Sequence, residues 1–247
     1  MGRGASKGGG GGGSANKPAN TPSGMTLDDL MKLPEDQRYD ALNDILDNPN
    51  IKVPDYLDSS DTTKLIYALG MNNKPTVVSD SQLDSMSGRE LFRTIYETGS
   101  MPPPSTDAVA DQIRNGDYTH MSGKGGSLHG RAIYFATDFS DSAGYGWGEQ
   151  NAMIIRGKLN SNANIRSEGS LQRQMYSDST FDNSRLNKRL SGTDAIAAYA
   201  LTHGVDGWYN RSYTMMVNRG ALTMSSQNKR VQSGRTYYYS WNDAVNA

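Results

Sequence analysis

Apolar and polar positions change rhythm along this chain. From Met25 to Gly70 the apolar residues recur at helical spacing: Leu30 and Met31, then Tyr39, Leu42, Ile45 and Leu46, then Leu65, Ile66 and Leu69. Start and stop signals bracket each group. Thr26, with Asp29 three residues on, forms a capping box; Pro34 opens a second helix; Asp61 and Gly70 bound a third. After residue 85 the pattern shortens to β-type runs at 91–97, 132–137, 152–159, 207–209, 213–218 and 235–241. Helical stretches at 105–115, 140–146 and 193–203 lie between some of them. Strand-rich runs with segregated helices predict an α+β domain with a mostly antiparallel sheet. The polar stretch 160–192 predicts only a helix around Leu171–Met175 and otherwise loop. Tyr237, Tyr238, Tyr239 and Trp241 read as a final half-buried strand.

Composition divides the same chain into three zones. The 247 residues carry a net charge of −1, no cysteine and 27 glycines. Residues 1–24 hold nine of those glycines and almost no apolar surface, which predicts a disordered tether. Residues 25–84 hold 12 acidic against 5 basic residues, so they read as a small acidic helical appendage with a solvated face. Residues 85–247 are mildly basic, with 17 Lys and Arg against 14 Asp and Glu, and form the expected main domain.

These numbers exclude function classes. Without cysteine there are no disulfides, cysteine zinc sites, iron–sulfur clusters or thiol nucleophiles, as suits a reducing compartment. No apolar run approaches the roughly 20 residues that span a bilayer, and no leader-like apolar segment opens the chain. A cytoplasmic protein without membrane partners is expected. The near-zero charge argues against nucleic acid as a partner. His120, His129 and His203 have no metal-ligand spacing, so no metal site is expected.

The chemistry concentrates between His120 and Tyr145. A glycine-rich loop (Gly123, Gly125, Gly126, Gly130) leads into a strand with Tyr134, and Tyr145 follows eleven residues later, one turn into a short helix begun by Ser140. Glycine lets backbone approach a ligand closely, and two facing tyrosines either stack on a flat ring or pack in the core. The segment GRAIYFATDFSDSAGY (130–145) resembles the ADP-ribosyltransferase superfamily, in its poly(ADP-ribose) polymerase-like branch, whose pattern reads roughly GxGIYFAxxxSxSxxY. Ala132 in place of the second glycine is the one departure there. The resemblance implies a split antiparallel β-sheet core and NAD+ as substrate. It also implies that Tyr134 and Tyr145 flank the nicotinamide ring and that Ser142 bonds its amide.

Arg93-Thr94, about 40 residues upstream, resembles the toxin-like branch, where an arginine on the first core strand meets the dinucleotide phosphates. A planar guanidinium suits that edge, although a surface strand arginine would look the same in sequence. The segment 195–224 resembles the end of the domain, where a late strand carries the catalytic glutamate. Aligned on Asn218, that position is Tyr213, and the last glutamate of the chain is Glu168. Asp206 is the expected stand-in carboxylate, set against an ordinary role in a Val-Asp-Gly turn. Glu97, Glu149 and Glu168 are further candidate acids, reaching the site from loops.

The expected activity is NAD+-dependent mono-ADP-ribosyl transfer to a protein or other macromolecule. The alternative is a catalytically silent binding module of the same fold. Tail, acidic helices and domain together resemble phage and mobile-element proteins, which implies a host cytoplasmic or virion-associated location. The RNA 2′-phosphotransferase branch would need a basic face that the composition does not supply.

Overall fold

The computed structural model describes residues 21–55, 60–71, 74–96, 105–116, 132–190 and 192–246. The tether up to residue 20, the glycine loop, His120, His129 and Glu97 lie outside these residues. The three expected N-terminal helices form where their signals stand: α1 Leu27–Lys32, α2 Glu35–Asp47 and α3 Asp61–Leu69. Thr26 and Asp29 close a reciprocal capping box on α1. Gly70 ends α3 in the left-handed conformation at φ 59°, which a β-carbon would strain. Residues 21–24, expected as part of the tether, are held instead. Thr21 Oγ1 donates to the Met25 carbonyl and Ser23 Oγ to Ala68, tying residues 21–24 against α3.

Downstream come β1 Thr76–Val78, α4 Asp80–Ser85, β2 Glu90–Ile95, α5 Thr106–Arg114, β3 Ile133–Ala136, α6 Phe139–Ala143 and β4 Met153–Leu159. They are followed by β5 Ile165–Ser167, α7 Glu168–Ser177, α8 Ser179–Asn183, α9 Arg185–Arg189, α10 Thr193–Thr202, β6 Gly207–Tyr209, β7 Tyr213–Met216 and β8 Leu222–Arg230. A short pair, β9 Gln232–Ser233 and β10 Thr236–Tyr237, closes the chain.

The expected α+β class with a mostly antiparallel sheet holds. Eight strands run in the order β1-β8-β4-β2-β3-β7-β6-β5, parallel only at the two edges, β1 with β8 and β5 with β6. At its centre the sheet nearly divides. β2 pairs with β4 over six residues and β3 with β7 over four, whereas β2 and β3 share only Phe92 opposite Ala136. The remainder of β2 and β3 forks apart.

Three apolar clusters clothe this sheet. On one face, over the β3-β7-β6 half, helices α1–α3 and α7–α10 share a core with Trp208, Met215 and Val217. The same face over β2 and β4 is covered by Phe139 and Ala143 of α6 and by Trp241 and Ala244. The opposite face packs Ala110 and Ile113 of α5 on Leu91, Ile133, Phe135, Ile155 and Met224.

Two expectations about domains are corrected by this packing. The acidic helices are not an appendage. Leu30, Tyr39, Leu42, Leu65 and Ile66 are buried in the core that also holds Trp208, because a 13-residue helix with one apolar stripe needs a partner surface. Nor does 84/85 divide units, since β1 pairs with β8 and Asp80 of α4 accepts from Trp241 Nε1 at 2.9 Å. The C-terminal aromatics do not add a strand to the main sheet either. Tyr239 is 62% exposed, Tyr238 packs half-buried beside Trp241, and Trp241 is inserted with the Lys229 ammonium 4.8 Å from its ring centroid.

Candidate functional site

The fork between β2 and β3 collects the chemistry. With Phe92 opposite Ala136, continued antiparallel pairing would set Thr94 opposite Tyr134. The ladder stops there, and the Arg93 guanidinium takes over, its Nη1 donating to the Tyr134 carbonyl at 2.8 Å. Arg93 Nε is out of solvent with no hydrogen-bond partner, and no carboxylate among the described residues faces the group. Burial lowers its pKa from 12.5 to about 10. A largely buried cation without an anion is a costly arrangement and an anion-binding one.

Helix α6 supplies the next part. Asp138 caps it, its Oδ1 accepting from the Ser140 and Asp141 amides, and its side-chain bond to Ser140 Oγ holds the carboxylate below its ordinary pKa. This fixes the helix so that buried Ser142 lies 3.2 Å from Thr94 Oγ1. The chain then turns through Gly146 at a close approach. A β-carbon there would stand 2.6 Å from Thr94 Cγ2 and 2.8 Å from the Ala152 β-carbon.

Tyr145 follows α6 and is 56% exposed. Its hydroxyl bonds that of Tyr213, at the start of β7, and the Tyr213 ring lies edge-on to Tyr134 with centroids 6.3 Å apart. Tyr213 thus touches both tyrosines that the sequence singled out. The Tyr145 hydroxyl, then burial, pushes the Tyr213 phenol up to about 12, so it is neutral at physiological pH.

Thr94 and Ser142 therefore meet on the α6 face of the sheet, and Tyr134 and Tyr145 are joined through Tyr213. Arg93 starts from the opposite face of β2, with Leu91 and Ile95, and reaches only the Tyr134 backbone carbonyl in the fork. Asp206 does not join them. Its backbone joins Asn164, Val217 and Asn218, and its carboxylate accepts from the Asn164 amide and Asn218 Nδ2, both at 2.8 Å. It clamps the end of β7 opposite Tyr213 through three backbone bonds and two to its carboxylate. The turn role is the one observed.

Glu168 opens α7 and accepts from Asn210 Nδ2 at 3.1 Å, while Asn210 Oδ1 accepts from the Tyr213 amide at 2.9 Å. One residue thus links this acid to position 213. Glu149 instead lines a shallow cleft of about 330 Å³ beside Asn151, Arg230 and Gln232, at the start of β4. Sequence reasoning missed the role of Asn210. Its only signal was its place in a turn two residues after Trp208, which any asparagine would fill.

No family model, curated protein or solved structure matches the chain. The chemistry of the site has to be argued from its own geometry.

What the arrangement offers is a buried cation at a strand fork, a hydroxyl pair at Thr94 and Ser142, and aromatic surfaces at Tyr134, Tyr145 and Tyr213. A flat, polar ring carrying an anionic tail satisfies all three features together: stacking for the ring, hydroxyls for its polar edge, guanidinium for the tail.

Proposed function

We propose that the protein is an NAD+-dependent mono-ADP-ribosyltransferase that modifies a protein or another macromolecule. Arg93 and Thr94 serve the dinucleotide backbone, and Tyr134, Ser142 and Tyr145 the nicotinamide end. The observation that supports this reading is that residues named from two separate sequence blocks are bonded across the β2–β3 fork, Arg93 to the Tyr134 carbonyl and Thr94 to Ser142. In the reaction the bond between nicotinamide and ribose C1 breaks, and its electron pair leaves with nicotinamide. An acceptor nucleophile then forms the new bond to C1 and loses its proton to solvent or to a nearby base. Developing positive charge on the ribose calls for a carboxylate, and Tyr213 brings none.

The test incubates the full chain with NAD+ labelled in the adenosine, and follows nicotinamide release and label on protein. The proposal expects both, with a large loss in Tyr134→Ala. Absence of NAD+ binding by calorimetry overturns it.

A second reading rests on Tyr213. Its hydroxyl holds Tyr145 and its ring meets Tyr134, which favours a module that binds NAD+ without turning it over. Binding with no nicotinamide release selects this reading over the enzyme.

A further inference from the structure

A second cluster of ligating groups lies in the helical layer and is independent of the NAD+ reading. Glu35 opens α2, Asp178 caps α8 and His203 ends α10; these residues are far apart in sequence. One ligand atom from each falls within 4.8 Å of the other two. The local hydrogen bonds aim these atoms at one another. Asp178 Oδ1 is used by the Thr180 and Phe181 amides at 2.9 and 3.0 Å, which leaves Oδ2 facing inward. His203 Nδ1 is 2.8 Å from the Tyr199 carbonyl, an acceptor only, so the proton sits on Nδ1. With the proton on Nδ1, Nε2 faces Glu35 Oε1 at 3.6 Å.

Two carboxylates and an imidazole lone pair directed at one point repel one another unless a cation lies between them. Tyr39 relieves part of this, and the Tyr199 hydroxyl, which also bonds Asp178, relieves a further part. The Tyr39 hydroxyl is 2.9 Å from Glu35 Oε1 and 2.7 Å from Asp178 Oδ2, but one hydrogen serves one acceptor at a time. Asn43, one turn further along the Glu35–Tyr39 stripe of α2, is 99% buried, with neither side-chain polar atom bonded.

We propose that Glu35, Asp178 and His203 bind a divalent cation of the zinc class. Ligand bonds of about 2.0–2.2 Å require ligand atoms roughly 3–4 Å apart, and the Nε2 to Oε1 separation already meets that. One imidazole with two carboxylates selects Zn2+ or Mn2+ over Mg2+ and Ca2+, which prefer all-oxygen sites. The Nδ1 bond to a backbone carbonyl is the outer-shell support that metal-bound imidazoles ordinarily have. The cation ties α2 to α10 and to the α7–α8 junction, stapling the N-terminal helices to the sheet domain.

The experiment uses the full chain without a histidine tag, stripped with chelator and dialysed. ZnCl2, MnCl2 and MgCl2 are titrated by calorimetry, with melting followed in parallel. Zn2+ is expected to bind one to one, to raise Tm by about 5–10 °C at a hundredfold excess over Kd, and to outcompete Mg2+. Glu35→Gln, a half-exposed first-turn change that leaves α2 able to form, is expected to weaken Zn2+ at least tenfold. Glu35→Gln with His203→Gln is expected to abolish the one-to-one event. Absence of Zn2+ binding overturns the proposal, as does a one-to-one event unchanged in the double variant, which would place the ion elsewhere.

Discussion

Replacing Arg93 with methionine separates a binding residue from a structural strut. The two roles predict opposite changes in stability. The fall of the guanidinium pKa from 12.5 to about 10 corresponds to about 3 kcal/mol of uncompensated desolvation, at 1.36 kcal/mol per tenfold. The exposed part of the side chain reduces this to about 2 kcal/mol. Both folded and unfolded states carry the charge at pH 7, so the cost is fully present there. Against it stands one hydrogen bond, Nη1 to the Tyr134 carbonyl, worth about 1.5–3 kcal/mol for a charged donor. The two nearly cancel, and methionine keeps the packing volume of the stem. Arg93→Met should therefore leave Tm unchanged within about 3 °C, while NAD+ affinity by calorimetry falls about 10- to 100-fold. A lysine at the same position keeps the charge without the fork and should recover only part of the binding. If Arg93→Met loses more than about 2 kcal/mol in urea unfolding with NAD+ affinity intact, Arg93 is a strut across the fork and the anion-site argument fails.

Three further changes probe the same site. Tyr213→Glu supplies the missing charge and should raise nicotinamide release about 10²- to 10³-fold, whereas Tyr213→Gln should not; an equal rise in both would remove electrostatics as the cause. Asp206→Ala leaves the Asn164 amide and Asn218 Nδ2 without an acceptor, so it should cost about 1–3 kcal/mol in urea unfolding with the rate per folded molecule retained. A large rate loss in a stable Asp206→Ala protein would restore it as the stand-in carboxylate. The Asp138 cap has a folded pKa below the ordinary 3.8, so its contribution is present above that value and is lost as pH falls through the lower, folded one. Hydrogen exchange of the α6 amides should stay slow at pH 5 and accelerate below pH 3.8, and Asp138→Ala should show the fast exchange at both.

Local signals survived folding best. The capping box at Thr26, the left-handed stop at Gly70 and the strand through Tyr134 are each decided within a few residues, and each stands where the sequence put it. The longest strand did not announce itself. β8 runs LTMSSQNKR, and its buried half, Leu222 to Ser225, precedes an exposed polar half, so no period of two spans it. Of the three helices in 160–192, α7 covers the one expected around Leu171–Met175, and the other two were equally silent. α8 and α9 are five residues each and owe their existence to caps at Asp178 and Ser184 and to packing of Phe181 and Leu186. Tyr134, Ser142 and Tyr145 were legible because a contiguous motif carried them, and Arg93 because of its place in a strand run about 40 residues upstream. The Glu35, Asp178 and His203 cluster was not, because long-range topology alone brings it together.

Position 213 decides what kind of protein this is, because binding and turnover draw on different parts of the site. Stacking, hydroxyls and the Arg93 cation act on the ground state as well as on the transition state, and such uniform binding does not accelerate a chemical step. Acceleration needs charge placed where it develops, at the start of β7. There the chain offers a phenol held neutral by Tyr145, with Glu168 one residue behind it through Asn210. If Glu168 acts, it does so only when Asn210 releases it, so Asn210→Ala should raise nicotinamide release in the wild-type Tyr213 background. If it does not act, the same change merely loosens the β6–β7 turn and leaves the rate at its floor. The wild-type rate, the Asn210→Ala rate and the Tyr213→Glu rate thus form an ordered series, and a series out of order refutes the division of labour drawn between the fork and the strand.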